Sequence, residues 1–386
     1  MEKADVVIIG AGIVGLASAY WLTKSGTKVI VLDKGRAGWE ASGRATGFHS
    51  LRGEIPAERP LAALAEELWK TMDEELGYPT EWVPGGRLWV ALEQDRWAEL
   101  MDICPLWRSG GLPIEVLDGA GARAVVPCLS EQTLGGLYMQ RSGHLNPQRA
   151  TQAFAWALRD RGGEIREETA VVGITVSGGR VTGVETTTGP IAAPIVITCA
   201  GPQSAKIAAM VGIDLPLATV RLEAMVTVPL PRLFDVAMVG HGISLRQTRR
   251  GNIHFNGGPH EWVDVDLTAE PAKPTTPIIR NIGRRLAELF PSLAQTPVLR
   301  SWAGVIDVTP DQMCLIDRVQ NPDGMIFVTA AGHGVGLAPS IGQVVCALAR
   351  GETTPVPVDG LGLARFAALD PDWREKRRWT AGNYNT

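Results

Sequence analysis

The first thirty residues alternate between apolar runs and glycine-rich breaks. Residues 5–9 (Asp-Val-Val-Ile-Ile) form a continuous β-branched run, which is typical of a strand buried on both faces. A glycine-rich turn follows at residues 10–15, and the pattern of residues 16–24 predicts a helix. A second apolar run at residues 28–32 predicts another strand, which ends at Asp33. This order of strand, turn, helix, strand and acid predicts the start of a Rossmann-type sheet.

Apolar and polar residues alternate in four later segments, as they do in strands with one buried face. Residues 81–91 alternate around a glycine turn and predict a hairpin. Residues 220–229, 242–257 and 297–307 predict further strands of a largely antiparallel sheet. Helices are expected at residues 61–76, 95–109, 277–289 and 340–350.

The three glycines of the first turn indicate a phosphate site. Gly10 allows a tight turn, Gly12 lets the backbone approach a pyrophosphate, and Gly15 lets the helix pack closely on the strand. The helix N-terminus offers N–H groups and a partial positive charge to phosphates. Asp33 stands at the tip of the second strand, where its carboxylate can accept hydrogen bonds from ribose hydroxyls. A bound dinucleotide is therefore expected, and this motif leaves FAD and NAD open.

Composition narrows the class of protein. The chain has 386 residues, 45% of them hydrophobic, and a formal net charge of −4. This length predicts about two domains, and the dispersed charges indicate neither a nucleic-acid partner nor an anionic membrane surface. The five cysteines form no CxxC pair and no Cys/His cluster with metal-ligand spacing, so reduced thiols in a cytoplasmic protein are expected, without a metal. The apolar stretch 6–22 contains three glycines and is too short for a membrane span.

Several further motifs indicate a particular family. They are Ala-Ser-Gly-Arg at residues 41–44, Ser-Gly-His-Leu-Asn-Pro at 142–147, Cys-Ala-Gly at 199–201, Trp-Ala-Gly at 302–304, Thr-Pro-Asp at 309–311 and Gly-His-Gly-Val-Gly-Leu-Ala-Pro at 332–339. With the N-terminal glycines, they resemble the D-amino acid oxidase and sarcosine oxidase (DAO) superfamily of FAD-dependent amine oxidoreductases over essentially the whole chain. The resemblance implies that the dinucleotide is FAD.

The resemblance also implies an α/β fold, in which a glutathione-reductase-like, FAD-binding Rossmann domain carries a second, mostly antiparallel-sheet substrate domain. The expected FAD domain is discontinuous and comprises residues 1–77, 147–215 and 312–386, while residues 78–146 and 216–311 form the substrate domain. The residues expected to bind FAD are Gly10, Gly12, Ile13, Val14, Gly15, Asp33, Lys34, Ser42, Gly43, Arg44, Thr46, Gly47, Val171, Ala200, Gly201, Gly332, His333, Gly334, Val335, Gly336 and Leu337.

The activity implied is oxidation of the C–N bond of a small amino acid or secondary amine (an imino acid, an N-alkyl amino acid or an opine) to an imine, by hydride transfer to flavin N5. A dehydrogenase is slightly favoured over an oxidase, because no lysine that would activate O2 can be placed near N5. Two alternatives stay open. One is an FAD-dependent dehydrogenase of a hydroxyl carbon, in a 2-hydroxy acid or a polyol phosphate, and the other is a non-catalytic flavin scaffold subunit.

The residues that bind substrate in such relatives differ in this sequence. Glycine oxidase-like relatives have a carboxylate-binding arginine at the position of Ile306, and monomeric sarcosine oxidase-like relatives have a lysine at the position of Gly336. The latter also attach FAD through a cysteine at the position of Gly304, so non-covalent FAD is expected, with His49 as the alternative point of attachment. The remaining substrate-binding candidates are Arg52, His49, Arg221, Glu223, Arg246, His254 and His333.

The whole pattern looks most like the flavin (beta) subunits of bacterial hydroxyproline or opine dehydrogenases. This likeness implies a small amino-acid-like substrate and additional subunits of a heteromeric dehydrogenase. The charged tail at residues 370–386 contains two tryptophans. It is expected to be a solvated extension, with docking to another subunit as the alternative.

Overall fold

The computed structural model describes residues 2–51, 55–268 and 272–385. Its strands are β1 (Glu2–Lys3), β2 (Val6–Ile9), β3 (Val29–Leu32), β4 (Phe48–Ser50), β5 (Arg87–Ala91), β6 (Ile114–Asp118), β7 (Gly135–Met139), β8 (Ser142–His144), β9 (Glu164–Arg166), β10 (Val171–Ser177), β11 (Arg180–Thr186), β12 (Gly189–Ala192), β13 (Ile195–Thr198), β14 (Ala218–Thr227), β15 (Ala237–Gly240), β16 (Ile243–Gln247), β17 (Ile253–Trp262), β18 (Val298–Val308), β19 (Leu315–Arg318), β20 (Met325–Thr329) and β21 (Tyr384–Asn385). Its helices are α1 (Ile13–Lys24), α2 (Ala41–Arg44), α3 (Arg59–Leu76), α4 (Gln94–Ser109), α5 (Gly119–Val125), α6 (Pro147–Asp160), α7 (Ser204–Ala209), α8 (Thr276–Leu289), α9 (Gly334–Arg350) and α10 (Trp373–Lys376). No helix within these ranges is both long and apolar enough to cross a membrane.

A six-stranded sheet forms the centre of one half of the molecule. Its strand order is β19-β20-β13-β2-β3-β9, and neighbours pair in parallel except for β19, which runs antiparallel to β20. Helices α1, α3, α6 and α9 cover one face, and the four-stranded sheet β1-β12-β11-β10 covers the other. Burial on both faces explains why β2 and β3 are continuous apolar runs. The predicted Rossmann start of the chain lies in the middle of this sheet.

A larger sheet forms the other half. Its order is β18-β14-β17-β16-β15-β5-β7-β6, and β21 pairs with β17 outside this path. Neighbours are antiparallel except for the parallel pair β15 and β5. Helix α8 packs against β14, β16 and β17, and α4 packs against β5, β6 and β7. This sheet is the mostly antiparallel one that the alternating segments predicted.

The hairpin predicted at residues 81–91 is wrong. Strand β5 pairs with β7 and β15, and Val83 forms an isolated bridge with His144. The segment does contain a strand, but residues 88–91 are all buried, so β5 is covered on both faces and not on one. Alternation along a segment also carries no information on the pairing partner. The partners of β5 come from segments about fifty and about one hundred and fifty residues further along the chain.

The two sheets draw on the predicted segments, with one exception. The strands of the six-stranded sheet lie within 1–77, 147–215 and 312–386, and those of the larger sheet lie within 78–146 and 216–311, apart from β21. The domain boundaries themselves stay a prediction.

The tail beyond residue 370 packs against its own chain. Trp373 is only 5% exposed, and the ring of Trp379 stacks on that of Trp262 with centroids 4.6 Å apart. Arg374 donates to the carbonyl of Leu217, and β21 adds to the larger sheet. The expected solvated extension is therefore wrong, because Trp373 is buried and Trp379 stacks on Trp262 of the sheet.

Candidate active site

The turn between β2 and α1 has the geometry that its glycines predicted. Gly10 has a φ of +107°, which favours glycine, and a side chain there would overlap the carbonyl of Cys199. A side chain at Gly15 would overlap the carbonyl of Gly10, so this glycine lets α1 pack on β2. Gly12 precedes the helix without a side chain to cap it, and the first turn contains no acid. This end of α1 therefore presents N–H groups and a partial positive charge to an anion.

Asp33 lies beside this helix end. Its carboxylate accepts hydrogen bonds from the N–H groups of Ala11 and Gly35, both at 2.8 Å. Burial raises the pKa of the Asp33 carboxyl, and these two donors act in the opposite direction because they stabilise the charged form. The hydroxyl of Ser42 accepts a hydrogen bond from the N–H of Ile13 at 2.9 Å, which ties the Ala-Ser-Gly-Arg segment to the start of α1.

A cleft, here called the nucleotide cleft, extends along these elements, from the start of α1 past Asp33 to Ser42. Its course along a helix N-terminus and a carboxylate at a strand end suits an extended dinucleotide. Gly15 and Gly43 lie behind its surface and are required for close backbone packing. The predicted cofactor residues in its wall are Gly10, Gly12, Ile13, Val14, Asp33, Lys34, Ser42, Val171, Ala200, Gly201, Gly332, Gly334 and Val335.

A second cavity, here called the inner cavity, adjoins the nucleotide cleft. Ile306, Gly332 and Val335 contribute to the walls of both. Strands β14, β16, β17 and β18 contribute residues to its wall, so the larger sheet roofs it. The other predicted cofactor residues in its wall are Arg44, Thr46, Gly47, His333, Gly336 and Leu337.

Helix α9 begins at Gly334, inside the Gly-His-Gly motif, and not at residue 340 as the sequence predicted. A side chain at Gly336 would lie 2.5 Å from the carbonyl oxygen of Phe48, so β4 passes directly over the first turn. The carbonyl of Gly336 accepts hydrogen bonds from the Trp69 indole at 2.8 Å and from Nδ1 of His49 at 3.1 Å. Since a carbonyl only accepts, Nδ1 of His49 carries the proton. The partial positive charge of α9 is thus held at the boundary of the two cavities.

Asp307 is a residue of this region that sequence reasoning missed. It is buried at the end of β18, and its carboxylate accepts hydrogen bonds from the N–H groups of Ala330 and Ala331 at 3.1 and 3.0 Å. Ala331 has a φ of +44°, so the carboxylate holds a strained turn directly before Gly332. Burial raises the pKa of the Asp307 carboxyl. The sequence feature that could have revealed Asp307 is an acidic residue inside a predicted strand, two residues before Thr-Pro-Asp.

Arg221 and Glu223 are near each other, as their shared strand predicted, but their charges are already engaged. Arg221 lies 2.5 Å from Glu261 and 3.5 Å from Glu223. Glu223 lines the inner cavity and accepts hydrogen bonds from the N–H and the hydroxyl of Thr275 at 2.9 and 2.8 Å. These contacts favour a structural role for the pair over binding of a cationic substrate group.

Arg246 and His254 face each other across β16 and β17, as the predicted hairpin required. Arg246 is buried and donates to the carbonyl of Thr46, and burial lowers its pKa to about 10. The ring of His254 lies 5.0 Å from that of Trp302, and burial lowers its pKa well below the usual value. Neither side chain contributes to the wall of the inner cavity. Arg246 instead holds the backbone at Thr46, and His254 packs against Trp302 within the larger sheet.

Of the remaining substrate candidates, His49 and His333 line the inner cavity. Arg52 lies outside the described residues.

Several polar residues in the cavity wall were not predicted, among them Arg87, Ser244 and Asn256. Ser244 and Asn256 are directly opposite each other on β16 and β17. The guanidinium of Arg87 lies over the rings of Phe48 and Trp89, 5.4 and 4.8 Å from their centroids. These residues come from three strands, so their proximity depends on pairings that the sequence does not reveal.

The residues present fit FAD. The nucleotide cleft combines a helix end that has no N-cap side chain with a carboxylate for ribose, and the start of α9 faces the adjoining cavity. The hydroxyl of Thr46 is buried in the wall of that cavity without a hydrogen-bond partner among the residues described. Such a group needs a polar partner, and a bound cofactor would supply one.

Comparison with known proteins decides the family. Residues 5–348 match the model of the DAO family, described as FAD dependent oxidoreductase. The chain belongs to this DAO family. The predicted family, fold class, FAD cofactor and oxidoreductase class are therefore confirmed.

Similar DAO proteins cover nearly the whole chain. Sarcosine oxidase subunit beta from Rhodobacter capsulatus is 28% identical, over 95% of this chain and 89% of that protein. Glycine oxidase from Geobacillus kaustophilus is 28% identical, over 94% of this chain and 97% of that protein. The crystal structure of the same glycine oxidase matches with a TM-score of 0.88, covering 95% of this chain and 99% of that one at 24% identity, which shows the shared fold. The crystal structure of L-proline dehydrogenase from P. horikoshii matches with a TM-score of 0.85 at 26% identity, covering 95% of this chain and 98% of that one.

Proposed function

We propose that this DAO protein oxidises the C–N bond of a small amino acid or secondary amine to an imine. The observation that carries the proposal is the inner cavity. It adjoins the nucleotide cleft at Gly332 and is roofed by a sheet that offers Arg87, Ser244 and Asn256. A cationic side chain with two polar neighbours suits the carboxylate of an amino-acid-like substrate. The names of the relatives, sarcosine oxidase and glycine oxidase, support the same class of substrate.

FAD, when bound, supplies the hydride acceptor for this oxidation. The protein contributes position and charge. The N-terminus of α9 faces the boundary between the two cavities and favours negative charge there. Asp307 fixes the turn that leads into α9 through the N–H groups of Ala330 and Ala331. The sheet roof excludes water and holds the substrate in one orientation, which is where most of the catalytic advantage would arise.

We propose non-covalent binding of FAD and a dehydrogenase reaction. Gly304 has no thiol that could attach a flavin, and its neighbour is the aliphatic part of Arg44. Within the described residues, the wall of the inner cavity contains no lysine, which supports a dehydrogenase over an O2-activating oxidase.

Assembly with further subunits and a cytoplasmic location stay proposals. The first is supported by a relative named as a subunit, and the second by five cysteines that are all free thiols.

The proposal is tested by mixing the purified flavoprotein anaerobically with a panel of amines while the visible flavin absorbance is followed. The panel contains glycine, sarcosine, D- and L-amino acids, D- and L-proline, hydroxyprolines and opines, with 2-hydroxy acids and glycerol phosphate as a second group. Bleaching by an amine supports C–N oxidation, and readmission of air then separates oxidase from dehydrogenase. Bleaching by the second group alone would refute it in favour of hydroxyl oxidation.

A further inference from the structure

One end of the inner cavity is apolar and is completed by the C-terminal tail. Its wall there is formed by Val220, Trp262, Ile306, Val308 and Trp379, which we call the tail pocket. Val220 and Trp262 are paired across β14 and β17, and Val220 also pairs with Ile306 on β18. Trp379 comes from the tail and is stacked on Trp262 at an interplanar angle of 17°. Three strands and the tail therefore meet at a single apolar surface.

The tail is fixed there by both side-chain and backbone contacts. The N–H of Gly382 donates to the carbonyl of Trp262 at 3.0 Å, and the N–H of Trp262 donates to the carbonyl of Asn383 at 2.9 Å. Arg374 donates to the carbonyl of Leu217 at 3.0 Å. Trp379 is thus held in a defined place in the cavity wall.

The other end of the same cavity is polar. Asn256 pairs with Ala224, which lies four residues after Val220 on β14, a separation of about 13 Å at strand spacing. Arg87 and Ser244 line the cavity together with Asn256. His260 lies between the two ends on β17, and burial lowers its pKa, so that it is neutral at physiological pH. A ligand in this cavity would therefore meet a cation and polar groups at one end and an apolar, aromatic surface at the other.

We propose that the tail pocket binds the apolar substituent of the substrate, so that the tail contributes a specificity-determining residue, Trp379. The inference rests on the proposed function and narrows it. The substrate class becomes amines that carry a carboxylate at one end and an extended aliphatic or aromatic group at the other. Glycine and sarcosine lack such a group and would leave the tail pocket unfilled.

Straight-chain carboxylates from acetate to decanoate test this without any turnover. Their binding to the oxidised flavoprotein is measured by the change they cause in the flavin absorbance. Affinity should be nearly constant for the shortest acids and then rise by about fourfold for each CH2 that enters the tail pocket. Affinity that stays flat up to decanoate in the unmodified protein would overturn the proposal, and this outcome does not depend on any variant.

The variants separate specificity from stability. Trp379→Ala should lower the affinity for decanoate roughly 3- to 10-fold and leave acetate binding unchanged. The affinity of Trp379→Phe for decanoate should lie between those of Trp379→Ala and the unmodified protein. Tyr384→Ala is the matched control, because Tyr384 lies in the same tail, is 53% exposed and does not line the cavity. A purely structural role for Trp379 predicts lower stability with an unchanged dependence on chain length, and that result would refute the proposal.

The amine panel reports on the proposed function independently. Bleaching by amines together with a flat carboxylate series would retain C–N oxidation and refute the tail pocket. A rising carboxylate series without bleaching by any amine would retain the tail pocket as a binding site and refute C–N oxidation.

Discussion

Arg87 offers the sharpest test of how this DAO protein would hold its substrate. We expect Arg87→Met to weaken substrate binding and to leave the limiting rate of flavin reduction almost unchanged. The guanidinium comes from β5 and lines the same cavity as the polar pair Ser244 and Asn256. A carboxylate bound there would be held equally before and during the reaction. Loss of such uniform binding raises the dissociation constant without lowering the rate of the chemical step.

The magnitude follows from the contacts of the guanidinium. A hydrogen bond to a charged group contributes about 1.5–3 kcal/mol, so the dissociation constant should rise about 10- to 150-fold. Among the contacts that the same substitution removes are two cation–π contacts, with Phe48 at 5.4 Å and Trp89 at 4.8 Å. At about 0.5–1 kcal/mol each, the loss of these two alone should lower the free energy of unfolding by about 1–2 kcal/mol. Arg87→Lys keeps the charge but not the planar fork and should lie between the two proteins in affinity.

The assay is anaerobic stopped-flow reduction of the flavin at a series of substrate concentrations, which separates the dissociation constant from the limiting rate. Arg96→Met is the matched control. Arg96 is a surface residue of α4 paired with Glu99 at 2.8 Å, a contact worth about 0–1 kcal/mol. An unchanged dissociation constant in Arg87→Met would show that the carboxylate lies elsewhere. A lowered limiting rate with unchanged affinity would show that Arg87 acts on the reaction and not on binding.

Three further predictions follow from single contacts. Burial depresses the pKa of His144 and His254, so the unfolded chain binds more protons than the folded one below the ordinary pKa of about 6.5. As the pH drops from about 7 to about 5.5, each of these two histidines should lower the free energy of unfolding by up to about 1.4 kcal/mol per pH unit. Denaturant titrations should show that His254→Gln removes the contribution of one histidine to this pH dependence. The same pH dependence in the variant and the unmodified protein would contradict the prediction. Gly336→Ala places a methyl group 2.5 Å from the carbonyl oxygen of Phe48, so it should lower the free energy of unfolding by about 1–3 kcal/mol and lower the flavin content. The control is Gly283→Ala in α8, where the new methyl group would lie 3.9 Å from its nearest neighbour. In thermal unfolding this control should be as stable as the unmodified protein or more stable. In flavin titrations, Asp307→Ala should weaken FAD binding about tenfold or more. Asp307→Asn keeps an oxygen that can accept from the N–H groups of Ala330 and Ala331, and it should retain most of the affinity. Equal losses in the two variants would refute the role of these two hydrogen bonds.

The sequence predicted best those elements in which the local backbone conformation or packing allows only one type of residue. Gly10 needs a positive φ and Gly15 a close backbone approach, and both demands are met where predicted. Strand β2 is apolar throughout because both its faces are buried. Such features depend on neighbours near in the chain, which is why a pattern of a few residues suffices.

The start of α9 shows where local reasoning failed. Gly334, Gly336 and Pro339 are all poor helix formers, and they suggested a loop up to residue 339. The helix forms because Gly336 fits beneath β4 and its carbonyl is satisfied by Trp69. Tertiary contacts of this kind outweigh propensity and cannot be read from the segment itself.

The polar wall of the inner cavity was missed for a different reason. Arg87, Ser244 and Asn256 carry no motif, and they meet only because β5, β16 and β17 lie in one sheet. The predicted candidates Arg246 and His254 are on the expected hairpin, yet they lie away from the cavity wall. Period-two alternation gives the face of a strand, but the partner strands and the depth of each side chain depend on the assembled sheet.

The contact between α1 and α9 has a consequence for how the protein is made. Helix α9 packs so closely on α1 that a side chain at Gly342 would lie 2.8 Å from the backbone of Ala17. The ribosome adds roughly 5–20 residues per second, so the interval between synthesis of the two helices is on the order of 15–65 seconds. During that time the apolar face of α1 lacks one of its main packing partners, although α6 is already made. We therefore expect the emerging chain to depend on chaperones until α9 is made, and its FAD site to form late and all at once.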